Sequence, residues 1–312
     1  MRTALAAATD RLAAAGVPSP RVDAIALAEH ALGVPQLILA AAPRVPDGFE
    51  TTYAELVRRR AAREPLQHIT GYATFRHLTL RVEPGVFVPR PETEVVAQAA
   101  IDEVQRLVGG GCRPLVVDLC SGSGVIALSV FSEASGSQVL AIDIDPAAVD
   151  ISRQNAARLH RAAPNAPIRP SGDVHFVPRD ETGPRFQVGD VTDPALLATL
   201  EGTVDVVVSN PPYVPDDAVP LEPEVARHDP PRALFGGGSD GLDLPRHVVS
   251  AAERLLRPGG LFVMEHADVQ GAAVRELVNR TNAFEAATTH LDLTGRDRFV
   301  LTRRRPDAHS PD

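Results

Sequence analysis

Apolar residues recur at helical spacing through the first 63 residues, at Leu5 and Leu12 and then at Ile25, Leu27, Ala28 and Leu32, with polar positions between them. Pro18, Pro20, Pro35, Pro43 and Pro46 punctuate the stretch, which predicts short amphipathic helices, the last over 52–63. From Gly71 to Val88 the period falls to two: Leu78, Leu80 and Val82 alternate with Thr79 and Arg81. That pattern predicts a strand or hairpin joining two domains.

Beyond Pro91 short apolar runs alternate with segments of helical length. Leu115 to Leu119, Val139 to Ile142, Val204 to Val208 and Leu261 to Met264 read as strands. The helices are expected at 125–131, 147–159, 244–256 and 269–279. Strands that are apolar throughout and separated by helices imply a parallel sheet covered on both faces. Five prolines between 160 and 184 break the rhythm and suggest a surface excursion, and the tail after Arg305 reads as frayed. The division is 1–70 helical, 71–90 hairpin linker and 91–312 α/β.

The length, 312 residues, suits about two domains, and no apolar run reaches the roughly 18 residues that span a bilayer. Asp10 and Arg11 interrupt the Ala-rich start before a signal-like apolar region forms, so a soluble, cytoplasmic protein is expected, with no membrane partner. All 31 basic residues are Arg. Without Lys there is no P-loop lysine, no Schiff-base lysine and no kinase strand lysine. A net charge of −9 opposes direct binding to nucleic-acid phosphates. Cys112 and Cys120 have neither disulfide-framework nor zinc spacing, and the ten His include no HExxH pair, so no metal is expected.

Two motifs carry chemistry. After the first α/β strand, Cys120-Ser121-Gly122-Ser123-Gly124 leads into a helix, and glycines there let backbone approach a ligand at the carboxyl ends of parallel strands. Asp143 ends the next strand, where a carboxylate can accept both hydrogen bonds of a ribose. The loop is not GxGxxG, which favours an adenosine-type ligand over a dinucleotide. Asn210-Pro211-Pro212-Tyr213 follows the strand 204–208. An amide nitrogen is a poor nucleophile and must be positioned. The Asn210 side-chain oxygen and the Pro211 carbonyl can each accept one N–H of a planar NH2 group, the two prolines stiffen the backbone, and Tyr213 can pack on the substrate plane.

These residues together resemble a class I, Rossmann-like S-adenosylmethionine-dependent methyltransferase acting on a planar nitrogen. More narrowly, Arg63-Glu64-Pro65-Leu66-Gln67-His68-Ile69-Thr70-Gly71, Val88-Pro89-Arg90-Pro91-Glu92-Thr93-Glu94 and Met264-Glu265-His266 resemble the HemK/PrmC family, from about residue 5 to 303. That family methylates the glutamine of the Gly-Gly-Gln motif in peptide chain release factors. The resemblance implies S-adenosylmethionine as cofactor, held by Cys120 to Gly124, Asp143, Asp190, Val191 and Asn210. It implies catalysis by Asn210, Pro211, Pro212 and Tyr213. Substrate would meet those four and Arg90, with Pro89 to Thr93 walling the pocket. It also implies release factors as partners, no nucleic acid, a monomer, and residues 1–70 as a docking domain. Cys120 stands where the family often has Gly, Val191 where some members have an aromatic residue, and Asp173 and Asp180 compete with Asp190.

Rival readings are a glutamine methyltransferase of a ribosomal protein and an adenine-N6 DNA methyltransferase. Arg63 to Leu66 and Pro89 to Glu92 favour the release-factor branch over the first. The second shares Asn-Pro-Pro-Tyr but must flip a base and hold phosphates, which the negative charge opposes. A non-catalytic binding module would not need the intact Asn210 constellation. Gly237-Gly238-Ser239-Asp240-Gly241 matches a nucleophile elbow but lacks the preceding strand, so a flexible loop with a helix beginning at Ser239 or Asp240 is expected. Glu265 with His266 reads as structural, Cys120 as a small turn residue, and Arg58–Arg60 and Arg303–Arg305 as solvated faces.

Overall fold

A computed structural model of the chain describes residues 1–39, 45–161 and 183–306. Most of the 160–184 excursion, together with Pro43, Asp173, Asp180 and the tail beyond 306, lies outside the described residues. The first helices are α1 (Arg2–Ala14), α2 (Pro20–Leu32), α3 (Phe49–Ala61) and α4 (Leu66–Thr70). Pro20 opens α2, where its missing N–H costs nothing, and Gly33 ends it in the left-handed region. Leu5, Leu12, Leu27, Phe49, Tyr53 and Ile69 close a core of their own between these helices. The Tyr53 hydroxyl satisfies itself inside it by donating to the Ala24 carbonyl at 2.8 Å.

A hairpin follows, β1 (Tyr72–Phe75) and β2 (Leu78–Arg81), paired antiparallel. It is packed rather than a loose connector. Phe75, Leu78 and Leu80 sink into the main core, and the Asn155 side chain both accepts from the Arg81 N–H and donates to its carbonyl.

The rest alternates α5 (Glu94–Gly109), β3 (Leu115–Leu119), α6 (Val125–Glu133), β4 (Gln138–Asp143), α7 (Pro146–Arg161), β5 (Arg185–Val188) and β6 (Val204–Ser209). Two short helices come next, α8 (Pro223–His228) and α9 (Pro231–Leu234). Then follow α10 (Asp243–Leu255), β7 (Leu256–Glu265), α11 (Gly271–Arg280), β8 (Thr288–Leu291) and β9 (Asp297–Arg303). The sheet order is β5-β4-β3-β6-β7-β9-β8, with only β9 antiparallel to its neighbours β7 and β8. Alternation along each strand divides two cores. Val116, Val206, Val208 and Val263 face α5 and α6, whereas Val117, Val207, Phe262 and Met264 face α10 and α11. Among the described residues no helix is long and apolar enough to cross a membrane.

Two sequence expectations change. The helix expected to begin at Ser239 or Asp240 begins at Asp243, because Gly241 is left-handed (φ +71°) and the Asp240 carboxylate accepts the Leu242 N–H at 3.0 Å in a turn. The arginine runs are solvated only in part: Arg58 and Arg305 are exposed, but others are held by acids. Arg60 is buried against Asp23 and Glu224, Arg59 pairs with Glu64, and Arg303 forks onto the buried Glu103 at 2.8 Å through both nitrogens. Local charge density in the sequence cannot reveal an acid placed opposite by the fold.

Candidate active site

Register places the site. Leu119, Ile142, Ser209 and Met264 lie abreast on β3, β4, β6 and β7, so the residues that follow, Cys120, Asp143, Asn210 and Glu265, form one row at the carboxyl edge. The chain leaves β3 for β4 on one side and returns to β6 on the other. Open α/β sheets bind ligands at such a switch point. A cavity of about 570 Å³ opens there, lined by Gly122, Asp143, Asp190, Val191, Asn210 to Tyr213 and Arg90 among others. Cys120 also lines it, and Ser121 and Ser123 line a smaller recess between Cys120 and Asn210.

The glycine turn is bound to the next strand. Asp143 accepts the Gly122 N–H at 2.7 Å on one oxygen and the Asp145 N–H at 2.9 Å on the other. Burial raises its pKa and these two amides oppose the rise. Each carboxylate oxygen keeps a lone pair for a ligand. Cys120 is itself left-handed at φ +60°, which explains why glycine suits this position, and Gly124 has no room for a side chain, since a Cβ would meet Ser152 Oγ at 2.9 Å. Burial and the nearby Asp143 and Asp118 carboxylates push the Cys120 thiol well above its ordinary pKa, so it is not a nucleophile here. Asp190 is occupied by its own turn, accepting the Thr192 N–H at 2.8 Å and hydroxyl at 2.7 Å, which lowers its pKa.

Asn210 donates through Nδ2 to the Thr93 hydroxyl at 3.1 Å, while its Oδ1 has no hydrogen-bond partner among the described residues. The amide oxygen is thus the end left for a substrate N–H. Tyr213 is turned inward rather than left free: its hydroxyl donates to Glu265 Oε1 at 3.1 Å, and its carbonyl accepts Gln270 Nε2 at 2.8 Å. Tyr213 is still among the residues that line the cavity, but its hydroxyl serves the scaffold. Arg90 lines the wall with its guanidinium stacked over Phe87 and bonded to the buried Asp229 carboxylate, so it braces the pocket.

Sequence reasoning missed the second layer. Gly236 and Gly241 permit the loop after Phe235 to press on the motif. A Cβ on Gly241 would lie 2.2 Å from the Tyr213 carbonyl oxygen, and one on Gly236 would lie 2.6 Å from that of Pro212. Val214 completes the contact, donating to the Leu234 carbonyl and accepting the Gly236 N–H. Gly241 closes the apparent nucleophile elbow and Gly236 stands just before it, a signal visible in sequence only as an excess of glycine.

Comparison with known proteins identifies the family. The model of the PrmC N-terminal domain family matches residues 3–71, and that of ribosomal protein L11 methyltransferase (PrmA) matches 90–182. The release factor glutamine methyltransferase of Bifidobacterium longum (strain NCC 2705) is 42% identical over 299 residues, 94% of this chain and 96% of that protein. The chain belongs to the release factor glutamine methyltransferase family. A family member from Streptomyces coelicolor is 44% identical over 302 residues, covering 96% of each chain. A crystal structure of a release factor-specific protein-(glutamine-N5) methyltransferase from Alicyclobacillus acidocaldarius is similar over 70% of this chain and 95% of that one, at 24% identity and a TM-score of 0.38. As in the family, the enzyme is a methyltransferase of the class I α/β fold with a small helical N-terminal region.

Proposed function

We propose that this enzyme transfers the methyl group of S-adenosylmethionine to the side-chain amide nitrogen of the glutamine in the Gly-Gly-Gln motif of peptide chain release factors. The observation that carries the reading is the Asn210 amide, oriented by Thr93 with its oxygen free at the carboxyl edge, two strands from the ribose-type acceptor Asp143. The cavity accommodates the cofactor: Asp143 keeps free lone pairs, Gly122 brings backbone to the surface, and Ile142 and Val191 offer apolar walls for an adenine. When bound, the cofactor supplies an electrophilic methyl on a sulfonium.

The protein's part is alignment. Asn210 Oδ1 and the Pro211 carbonyl each accept one N–H of the substrate amide, which points the nitrogen lone pair at the incoming methyl. The stiff Pro211-Pro212 backbone holds those acceptors. The product sheds its extra proton to water, so no buried base is required. The helices of residues 1–70 serve as the docking domain, the hairpin region 71–90 joins them to the catalytic part in 91–312, and the enzyme acts as a cytoplasmic monomer.

Incubation with methyl-labelled cofactor and, in parallel, a full-length release factor, the same factor with its motif glutamine replaced by alanine, ribosomal proteins and duplex DNA tests this. Label is expected only on the intact factor. Label on a ribosomal protein or DNA alone would overturn the assignment.

A further inference from the structure

The two ends of an asparagine amide have nearly the same shape, so hydrogen bonds alone decide which end faces a ligand. Building on the amide-methylating reading, we propose that Thr93 and Glu265 are positioning residues that set the orientation of the Asn210 amide and hence its ability to accept an N–H from the substrate.

The relay runs outward from the motif. Thr93 is buried and receives Asn210 Nδ2 on its hydroxyl oxygen at 3.1 Å. A hydroxyl that accepts there must send its own hydrogen elsewhere, and the acceptor we assign to it is Glu265 Oε2, a buried oxygen that no hydrogen bond among the described residues satisfies, Thr93 being among the groups that hold the Glu265 pKa down. Glu265 is 1% exposed, lies next to Asn210 in the edge row, and also takes the Tyr213 hydroxyl on Oε1 at 3.1 Å. Glu265 thus holds the Tyr213 end of the motif through Oε1, and in the proposed relay its Oε2 holds the Asn210 end through Thr93. The other charged neighbours do not compete for this role. Arg298 is committed to Asp292, at 3.1 and 3.2 Å, Glu92 repels, and His266 turns its Nδ1 to the Ala267 carbonyl at 2.8 Å.

Polarity follows from the charge on Glu265. As a carboxylate it can only accept, so Thr93 donates to it and Asn210 presents Oδ1 to the pocket. A neutral Glu265 can donate to Thr93, which frees the Thr93 hydrogen for Asn210 Oδ1. The amide then turns its NH2 toward a substrate that also offers NH2, and the pocket loses its acceptor. Burial raises the Glu265 pKa to about 7, opposed by Thr93, Arg298 and the Tyr213 hydroxyl, with Glu92 raising it further. The working, ionised form is thus lost as pH falls through that value.

The test uses the full-length 15N-labelled chain. The side-chain NH2 signals of Asn210, assigned by their loss in Asn210→Ala, are expected to titrate near pH 7 in the wild type. That titration should vanish in Glu265→Gln and Thr93→Val and persist in Thr93→Ser. In turnover on a release factor, Thr93→Val and Glu265→Gln should lower kcat at least tenfold with the KM for S-adenosylmethionine within twofold. Thr93→Ser should recover most of the rate, and the acidic limb of kcat should be absent in Glu265→Gln. Asn210 signals indifferent to Glu265 and to pH, or wild-type kcat in folded Thr93→Val, would overturn the proposal. A wild-type enzyme that labels no release factor would instead overturn the substrate assignment, and the NMR titration would still decide the relay.

Discussion

Glu224 offers a test of how the N-terminal helices and the pocket are joined. It sits on α8, in the segment that follows the Asn210 motif, and accepts Arg60 at 2.8 Å and Arg63 at 2.5 and 2.7 Å, while Arg60 also reaches Asp23 at 2.7 Å. The four side chains are between 7% and 17% exposed, so screening by solvent is weak. Stranding one partner of a buried pair costs about 3 to 5 kcal/mol. Here Arg60 would keep Asp23 and the Glu64 carbonyl, and Arg63 the Gly16 carbonyl, so Glu224→Ala should cost about 2 to 3 kcal/mol, below that range because neither arginine is left without a partner. Thermal unfolding should shift by roughly 5 °C. Because Val225 and Arg232 on the same segment line the cavity, the KM for a release factor should also rise. The Arg guanidinium groups hold the Glu224 pKa at about 2. Its contribution is therefore complete above the ordinary carboxylate pKa and is lost as pH falls from there through about 2. A double-mutant cycle with Arg63→Ala should return a coupling of at least about 1 kcal/mol. An unchanged melting temperature together with zero coupling would refute the clamp.

Asn210→Ala should leave the melting temperature nearly unchanged and lower kcat by on the order of a hundredfold, as a misplaced reacting group does, measured by label transfer to a release factor. Asp143→Ala should weaken S-adenosylmethionine binding at least tenfold by calorimetry, since it removes the proposed ribose acceptor and releases the Gly122 amide together, each charged hydrogen bond being worth about 1.5 to 3 kcal/mol. Gly241→Ala should slow transfer with little change in cofactor affinity, because its Cβ displaces the Tyr213 carbonyl. At Cys120, where φ is +60°, glycine should be accepted and Cys120→Val should lower both melting temperature and cofactor affinity, because a β-branched side chain resists that conformation.

The sheet was legible because apolar runs such as Val204 to Val208 are buried on both faces and carry their own signal. The edge row was legible in part, since Cys120 to Gly124, Asp143 and Asn210 follow those runs directly. What sequence could not show was direction. Tyr213 reads as a substrate-facing ring, yet its hydroxyl points to Glu265, and Arg90 reads as a substrate contact, yet Asp229 holds it. Arg60 and Arg63 meet Glu224 across more than 160 positions, a pairing that no local pattern encodes. Glu265 reads in sequence as structural, and its hydrogen bond to the Tyr213 hydroxyl became visible only in the fold.

The edge row also acts as a ruler. Neighbouring strands lie about 4.8 Å apart, so the order β4-β3-β6-β7 puts Asp143, Cys120, Asn210 and Glu265 at successive graduations, with the backbones of Asp143 and Asn210 about 10 Å apart. Under the proposed reading that interval separates the acceptor of the cofactor ribose from the residue that faces its methyl group. A ruler of this kind depends more on the count of residues in its strands than on which apolar residues compose them. Deleting one residue within β6 would slide Asn210 by about 3.3 Å and turn the strand's inward and outward faces over, so apolar exchanges of similar volume at Val204, Val206, Val207 and Val208 should be tolerated where a single-residue deletion is not.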